Sequence, residues 1–173
     1  SMNSHTIALP PILHHGNAEL QKRYIPPVLA GEKIAALAIT EPSGGSDVAA
    51  LKTTAVRDGD HYVVSGEKVF ITSGMRADFF TVAVRTNPEN KGAGGISALV
   101  IDGDTPGLTR TELKKMGWWS SDTAHLRFDR CRVPVHNLVG QENAGFKVFM
   151  TNFNSERLGM AMRSEEHTSE LQS

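Results

Sequence analysis

Thr53–Gly74, TTAVRDGDHYVVSGEKVFITSG, is the stretch that decides the fold. Thr, Val and Tyr alternate along it with polar residues, the period of a half-buried strand. Asp58-Gly59 stands between two such runs and signals a hairpin. Ser65-Gly66 and Ser73-Gly74 read as further turns. FFTVAVRT, GGISALVID and AHLRFDRCRV continue the pattern downstream, and the apolar run from Ile34 to Ile39 leads into it. Many short strands at this spacing predict a mainly β unit up to about Val133, a closed barrel or a sandwich. Asn87 to Gly95, NPENKGAGG, reads as an exposed, mobile loop.

The flanks differ. NAELQKRYIPPVLA, from Asn17 to Ala30, reads as a helix with Asn17 as its cap, ended or kinked by Pro26 and Pro27. After VPVHNLVGQENAG a second helix is expected near Ala144, with Phe149, Phe153 and Met160 at helical spacing. RSEEHTSELQS is hydrophilic and matches nothing before it, and the initial Ser-Met reads as a cloning remnant. Both ends look cut.

Composition narrows the function classes. A 173-residue chain with 39% hydrophobic and 21% charged residues has the make-up of a globular protein. A net charge of −1 gives no electrostatic case for nucleic acid or an anionic membrane surface. No apolar run approaches the roughly 20 residues that span a bilayer, and no signal peptide is visible at the start. Cys131 is the only cysteine, so no internal disulfide forms and a cytoplasmic location is expected. His14-His15 lacks ligand spacing with acids or Cys, so no metal site is expected.

Four stretches could carry chemistry. TEPSGGSD, Thr40 to Asp47, combines Gly44 and Gly45, which admit a ligand close to the backbone, with the hydroxyls of Thr40 and Ser46. Successive N–H groups in such a loop can cradle an anion. Its residues also suit an ordinary turn, and it is neither a Walker loop nor GxGxxG. In KVFITSG, alternation puts Phe70 and Thr72 on one face, where they either meet a flat ring system or fill the core and support the turn. In MGWWSSDTAHLRF, adjacent Trp118 and Trp119 cannot face the same way on a strand, so core plus rim is expected, or one of them meets a neighbour or a pocket. In NFNSERL, Glu156 lies three residues beyond Phe153 and four before Met160, on the apolar stripe of the expected helix. A carboxylate desolvated there has the raised proton affinity of a general base; at the stripe's edge it would simply reach water or a cation.

The order of these pieces closely resembles the acyl-CoA dehydrogenase family: TEP-x-x-GSD, then K-x-F-I-T-x-G about twenty residues on, SDTA-x-L-x-F, C-R-V-P, N-L-x-G-x-E-N-x-G-F and ERL. The resemblance runs from about Pro10 to Met162. It implies a flavoenzyme of three domains. Residues 1–35 would end the N-terminal helical domain, 36–138 form the middle β domain, 139–162 start the C-terminal helical domain, and 163–173 be an artefactual or non-native tail. It also implies FAD held by the loop from Leu37 to Ser46, with Leu37, Ile39, Thr40, Gly45 and Ser46 among the contacts. Thr40 would meet the flavin pyrimidine edge, and Ser46 the pyrophosphate and the acyl-CoA site. Phe70, Ile71 and Thr72 would run along the flavin, with Phe70 where Trp is common in the family and the Thr72 hydroxyl near flavin N5. Asn154 and Arg157 would border the substrate, and Glu156 matches the catalytic base of the long-chain and isovaleryl-type members. The base removes the α-proton of an acyl thioester while the β-hydride passes to the flavin. The implied partners of the parent are acyl-CoA and electron-transfer flavoprotein, and the implied assembly is a homotetramer or homodimer. The chain on its own is expected to bind FAD weakly and to lack dehydrogenase activity. An acyl-CoA oxidase-type enzyme and a non-catalytic β assembly domain are the competing readings.

Overall fold

A computed structural model describes residues 8–90, 92–150 and 153. Two helices come first, α1 (Leu9–His15) and α2 (Ala18–Leu29). Eight strands follow: β1 (Ala35–Ala38), β2 (Thr54–Asp58), β3 (His61–Thr72), β4 (Phe79–Arg85), β5 (Ile96–Asp102), β6 (Leu108–Glu112), β7 (Thr123–Pro134) and β8 (Leu138–Val139). Residues 145–150 begin a further helix.

The strands form one sheet in the order β6-β7-β3-β2-β4-β5-β8, with β1 added beside β4. β1 runs parallel to β4 from Ala35↔Phe79 to Ala38↔Val82, and β2 takes over that edge at the single pair Thr54↔Arg85. This one-pair junction is the corner at which the sheet folds over itself. Among the described residues β6 and β8 do not pair, so the closed barrel admitted by the strand spacing is replaced by an open, folded sheet.

Folding over produces two cores. One face of the β1-β4-β5 layer presents Ala36, Phe80, Val82, Val84, Leu99 and Ile101 to Tyr62, Val64, Leu126, Phe128 and Val133 of β3 and β7. Its other face presents Ala35, Phe79, Ala83, Ile96, Ala98 and Val100 to Ile12 of α1, Leu20, Tyr24 and Val28 of α2, and Phe149. β4 is therefore buried at all seven positions, which is why FFTVAVR reads as a continuous apolar run rather than an alternation.

The Asn17 side chain accepts from the Leu20 N–H and caps α2 as expected. Pro26 and Pro27 do not end this helix, which runs on to Leu29. They stand in its last turn, where the carbonyls deprived of donors belong to exposed Lys22 and Arg23 and reach water. α1 was not anticipated from the sequence; its two prolines pre-set helical φ near the start but break its apolar pattern. The hairpin turn is Gly59-Asp60, one residue later than expected, with Asp58 paired to His61. Gly59 has φ +63, which the first central position of a type II′ turn requires. Ser65-Gly66 is not a turn: β3 continues through it, with a shift of register against β7 between Val64 and Gly66. Gly66 is glycine because its φ is +144 and because a Cβ there would lie 2.7 Å from the Thr53 Cα, just ahead of β2. Among the described residues no helix is long and apolar enough to cross a membrane.

Candidate functional site

The loop after β1 and the last third of β3 meet. The Val69 N–H donates to the Thr40 carbonyl over 2.9 Å, placing TEPSGGSD directly beside KVFITSG. Within the loop, Glu41 and Gly44 exchange backbone hydrogen bonds of 3.2 and 3.0 Å, so residues 41–44 form a tight turn. Gly45 then passes close to Thr40; a Cβ on it would stand 3.0 Å from the Thr40 Cγ2. Ser46 is exposed and Thr40 half-buried.

β3 changes face here. Tyr62, Val64 and Lys68 point inward with a period of two. Between Lys68↔Leu126 and Ile71↔Ala124 the strand carries one residue more than β7. This bulge flips the alternation: Ile71 becomes the buried residue, at 2% exposure, while Phe70 is 68% exposed and Thr72 is exposed. Phe70 and Ser73 both have φ +60. A left-handed Phe costs about 1–2 kcal/mol and persists where the surroundings over-determine it.

The surroundings do so from two sides. On one, the Lys68 ammonium, wholly buried, donates to Glu41 Oε1 at 2.8 Å and to the Ile39 carbonyl at 3.0 Å. The same carboxylate accepts from the Lys52 N–H at 2.6 Å and the Thr53 N–H at 2.9 Å. Burial pushes the Lys68 ammonium down to about 8 against the pull of Glu41. Burial also pushes the Glu41 carboxyl up, but the Lys68 charge and the hydrogen bonds from Lys68, Thr53 and Lys52 outweigh it and hold it below the usual range. On the other side, Asp122 closes the turn after Thr72. It accepts from the Met75 N–H at 2.7 Å and from Arg76 Nε at 2.6 Å, and its carbonyl accepts from the Ser73 N–H at 3.0 Å. Burial raises the Asp122 carboxyl, yet the Arg76 and Met75 bonds and the Arg76 charge bring it below its ordinary value.

The sequence-predicted residues thus divide. Thr40, Gly45, Ser46, Phe70 and Thr72 belong to the two adjoining segments and reach the surface. Ile39 and Ile71 send their side chains into the two cores, and Leu37 packs against the helix-side core. Asn154, Glu156 and Arg157 lie outside the described residues. Lys68, Glu41 and Asp122 were missed. The signal for Lys68 was available: a cation at an inward position of an otherwise regular alternation demands a partner. Trp118 and Trp119, 85% and 79% exposed, are neither core nor rim; with fully exposed Met116 they stand on a loop off the strands.

A polar cleft of about 450 Å³ opens elsewhere, between α2 and the β4–β5 end; it includes none of the sequence-predicted site residues, though Arg76, the partner of Asp122, lines it. Several of its charges serve the fold: Arg23 pairs with Asp102 at 2.8 Å, Asp78 accepts from the Ile34 N–H, and Arg110 donates to the carbonyls of Met75 and Gly103. No group of three or more potential metal ligands occurs among the described residues.

Comparison with known proteins agrees with the motif order. Residues 36–131 match the model of the acyl-CoA dehydrogenase middle domain. The chain is 46% identical over 156 residues to acyl-CoA dehydrogenase apdG of Emericella nidulans, covering 88% of this chain and 35% of that protein. It is 43% identical over 147 residues to the mitochondrial isobutyryl-CoA dehydrogenase of Dictyostelium discoideum, covering 84% and 35%. A crystal structure of a probable acyl-CoA dehydrogenase from Mycobacterium abscessus superposes with a TM-score of 0.88 at 56% identity, covering 91% of this chain and 42% of that one. The chain spans about a third of the length of these curated relatives. With the fold, the paired motifs and the match over 36–131 in agreement, the chain belongs to the acyl-CoA dehydrogenase family, of which it carries the middle domain.

Proposed function

We propose that this chain supplies one wall of the FAD and acyl-CoA site of a flavin-dependent acyl-CoA dehydrogenase. The observation that carries the reading is the Thr40–Val69 hydrogen bond, which joins the two motifs into one surface bearing Thr40, Gly45, Ser46, Phe70 and Thr72. The donor set fits a flavin. An aromatic side chain exposed at Phe70, with hydroxyls at Thr40 and Thr72 and a glycine at Gly45 on the same two adjoining segments, suits a flat heteroaromatic ring with a phosphate tail. Contacts from Ile39 and Ile71 would be made by backbone, since both side chains are buried.

When bound, the flavin supplies the acceptor for the β-hydride of an acyl thioester. The chain's own residues would orient it: Phe70 would cover the ring, the Thr72 hydroxyl would stand near the reacting edge, and Ser46 would meet the pyrophosphate. Glu156 would take the α-proton, and Asn154 and Arg157 would border the thioester. Domain limits of 1–35, 36–138 and 139–162 follow from the same reading, as do electron-transfer flavoprotein as redox partner and a homo-oligomeric parent.

The test is Glu156→Gln in the full-length protein that contains this chain. Turnover is expected to fall at least about a hundredfold, the scale of a lost general base, with flavin still bound. Near-normal turnover would refute the assignment of Glu156, and a full-length protein without flavin would refute the reading as a whole.

A further inference from the structure

We propose that the buried Lys68–Glu41 ion pair is a latch that sets how the Thr40 loop and the Phe70 bulge stand against each other, making both residues positioning residues of the ligand wall. What the wall binds rests on the flavin reading above; the latch itself does not.

The geometry ties four segments of chain through two side chains. Lys68 on β3 reaches the Ile39 carbonyl at the end of β1 and the Glu41 carboxylate in the loop. Glu41 reaches onward to the N–H groups of Lys52 and Thr53, where the chain leaves the loop region for β2. Both ends of the loop are thereby held to one point on β3. The residues latched are the immediate neighbours of the wall: Glu41 follows Thr40, Lys68 precedes Val69, and the Val69 N–H binds the Thr40 carbonyl. Phe70, with its left-handed φ, comes next.

Stability alone does not account for the pair. Lys68 and Glu41 side chains are 0% and 4% exposed, and desolvating two charges this completely offsets most of their attraction. An apolar pair of similar volume would fill the same space without that cost. It would leave the Ile39 carbonyl and the Lys52 and Thr53 N–H groups to find other partners, and so free the loop to choose its position. The directional bonds of a charged pair define one arrangement, which is what a wall facing a rigid ring requires.

Lys68→Met and Glu41→Gln in the full-length protein test this, with Val133→Ala as a control in β7. Val133 is buried and pairs with Tyr62 at the far end of β3, so its loss loosens the same core away from the wall. Two readouts are taken at a temperature where circular dichroism shows each variant folded. The first is hydrogen exchange at the Lys52, Thr53 and Val69 amides. It is expected to quicken at least tenfold in Lys68→Met, and to be unchanged in Val133→Ala. The second is the flavin dissociation constant with the visible flavin spectrum. Binding is expected to weaken at least tenfold with a shifted spectrum in Lys68→Met and unchanged in Val133→Ala. Should Lys68→Met fail to fold, Glu41→Gln, which keeps the size and one acceptor of the carboxylate, carries both readouts. Unchanged amide exchange overturns the latch. Faster exchange with unaltered flavin binding overturns its positioning role. A wild-type protein that binds no flavin sinks the flavin reading instead, while the amides still decide the latch.

Discussion

β3 and β4 lie in the same sheet and are built on opposite plans. β4 has seven buried residues and pairs with β5 over seven consecutive positions without a shift in register. β3 alternates, shifts register against β7 twice, carries a buried cation and has φ +60 at Phe70, two residues before its end. β4 is what the hydrophobic effect makes when both faces of a strand are covered. β3 is a sequence of local exceptions, each needing a named partner. Stability should therefore concentrate in β4, and ligand geometry in β3.

The strongest way to test that division is Phe79→Ala in β4. Phe79 is wholly buried, and its ring packs against Tyr24 of α2 with centroids 4.6 Å apart. Truncation should cost about 3–5 kcal/mol in urea unfolding, the transfer loss plus the cavity. A loss below about 1 kcal/mol would mean that the helix layer contributes little to the fold. A second, smaller effect is expected at Gly66→Ala in β3. The added Cβ would sit on a backbone with φ +144 and would meet the Thr53 Cα and Oγ1 at 2.7 Å, backbone and a fixed threonine rather than a flexible chain end. The cost expected in the same measurement is about 1–3 kcal/mol, from a single methyl group. A neutral outcome would show that β2 can slide away from β3 at no cost, and that the corner between the two sheet layers is not rigid.

The same contrast explains what could be read in advance. β4 and β5 were visible as short apolar runs, and β7 by its alternation. The flanking helix was visible because Asn17 caps it. β6 and β8 were not: LTRTE is mostly exposed, and Leu138–Val139 has two residues, so neither leaves a periodic signal. Ser65-Gly66 looked like a turn because composition cannot separate a glycine that bends the chain from one that admits a neighbour. The open edge between β6 and β8 is likewise set by where the sheet folds, at Thr54↔Arg85, a long-range event with no local signature. At the site, Phe70 and Thr72 share a face, as alternation requires, but the face they share is decided by the extra residue before Ile71. Counted from Tyr62 and Val64 without it, both would enter the core. Lys68 and Glu41 were in view in the motifs, yet only their 2.8 Å contact across 27 positions of sequence reveals them as a pair.

The smallest expected effect is the most diagnostic of β3. Glycine in an ordinary strand position costs about 0.5–1 kcal/mol relative to alanine, through backbone entropy. Phe70 is not in an ordinary position. Its φ of +60 disfavours any residue with a Cβ, and its side chain is 68% exposed. Phe70→Gly should therefore remove strain worth about 1–2 kcal/mol while giving back most of it as unfolded-chain entropy. The net change in urea unfolding should be neutral to slightly stabilising, within about 0.5 kcal/mol of zero, the range of exposed substitutions. Val82→Gly in β4, wholly buried, should behave oppositely and destabilise strongly. If Phe70→Gly costs more than about 1 kcal/mol, the ring is packed against the protein rather than offered from it. If it is neutral, the fold gains nothing from an aromatic ring held outward in a strained conformation, and the reason for it lies in what the ring meets.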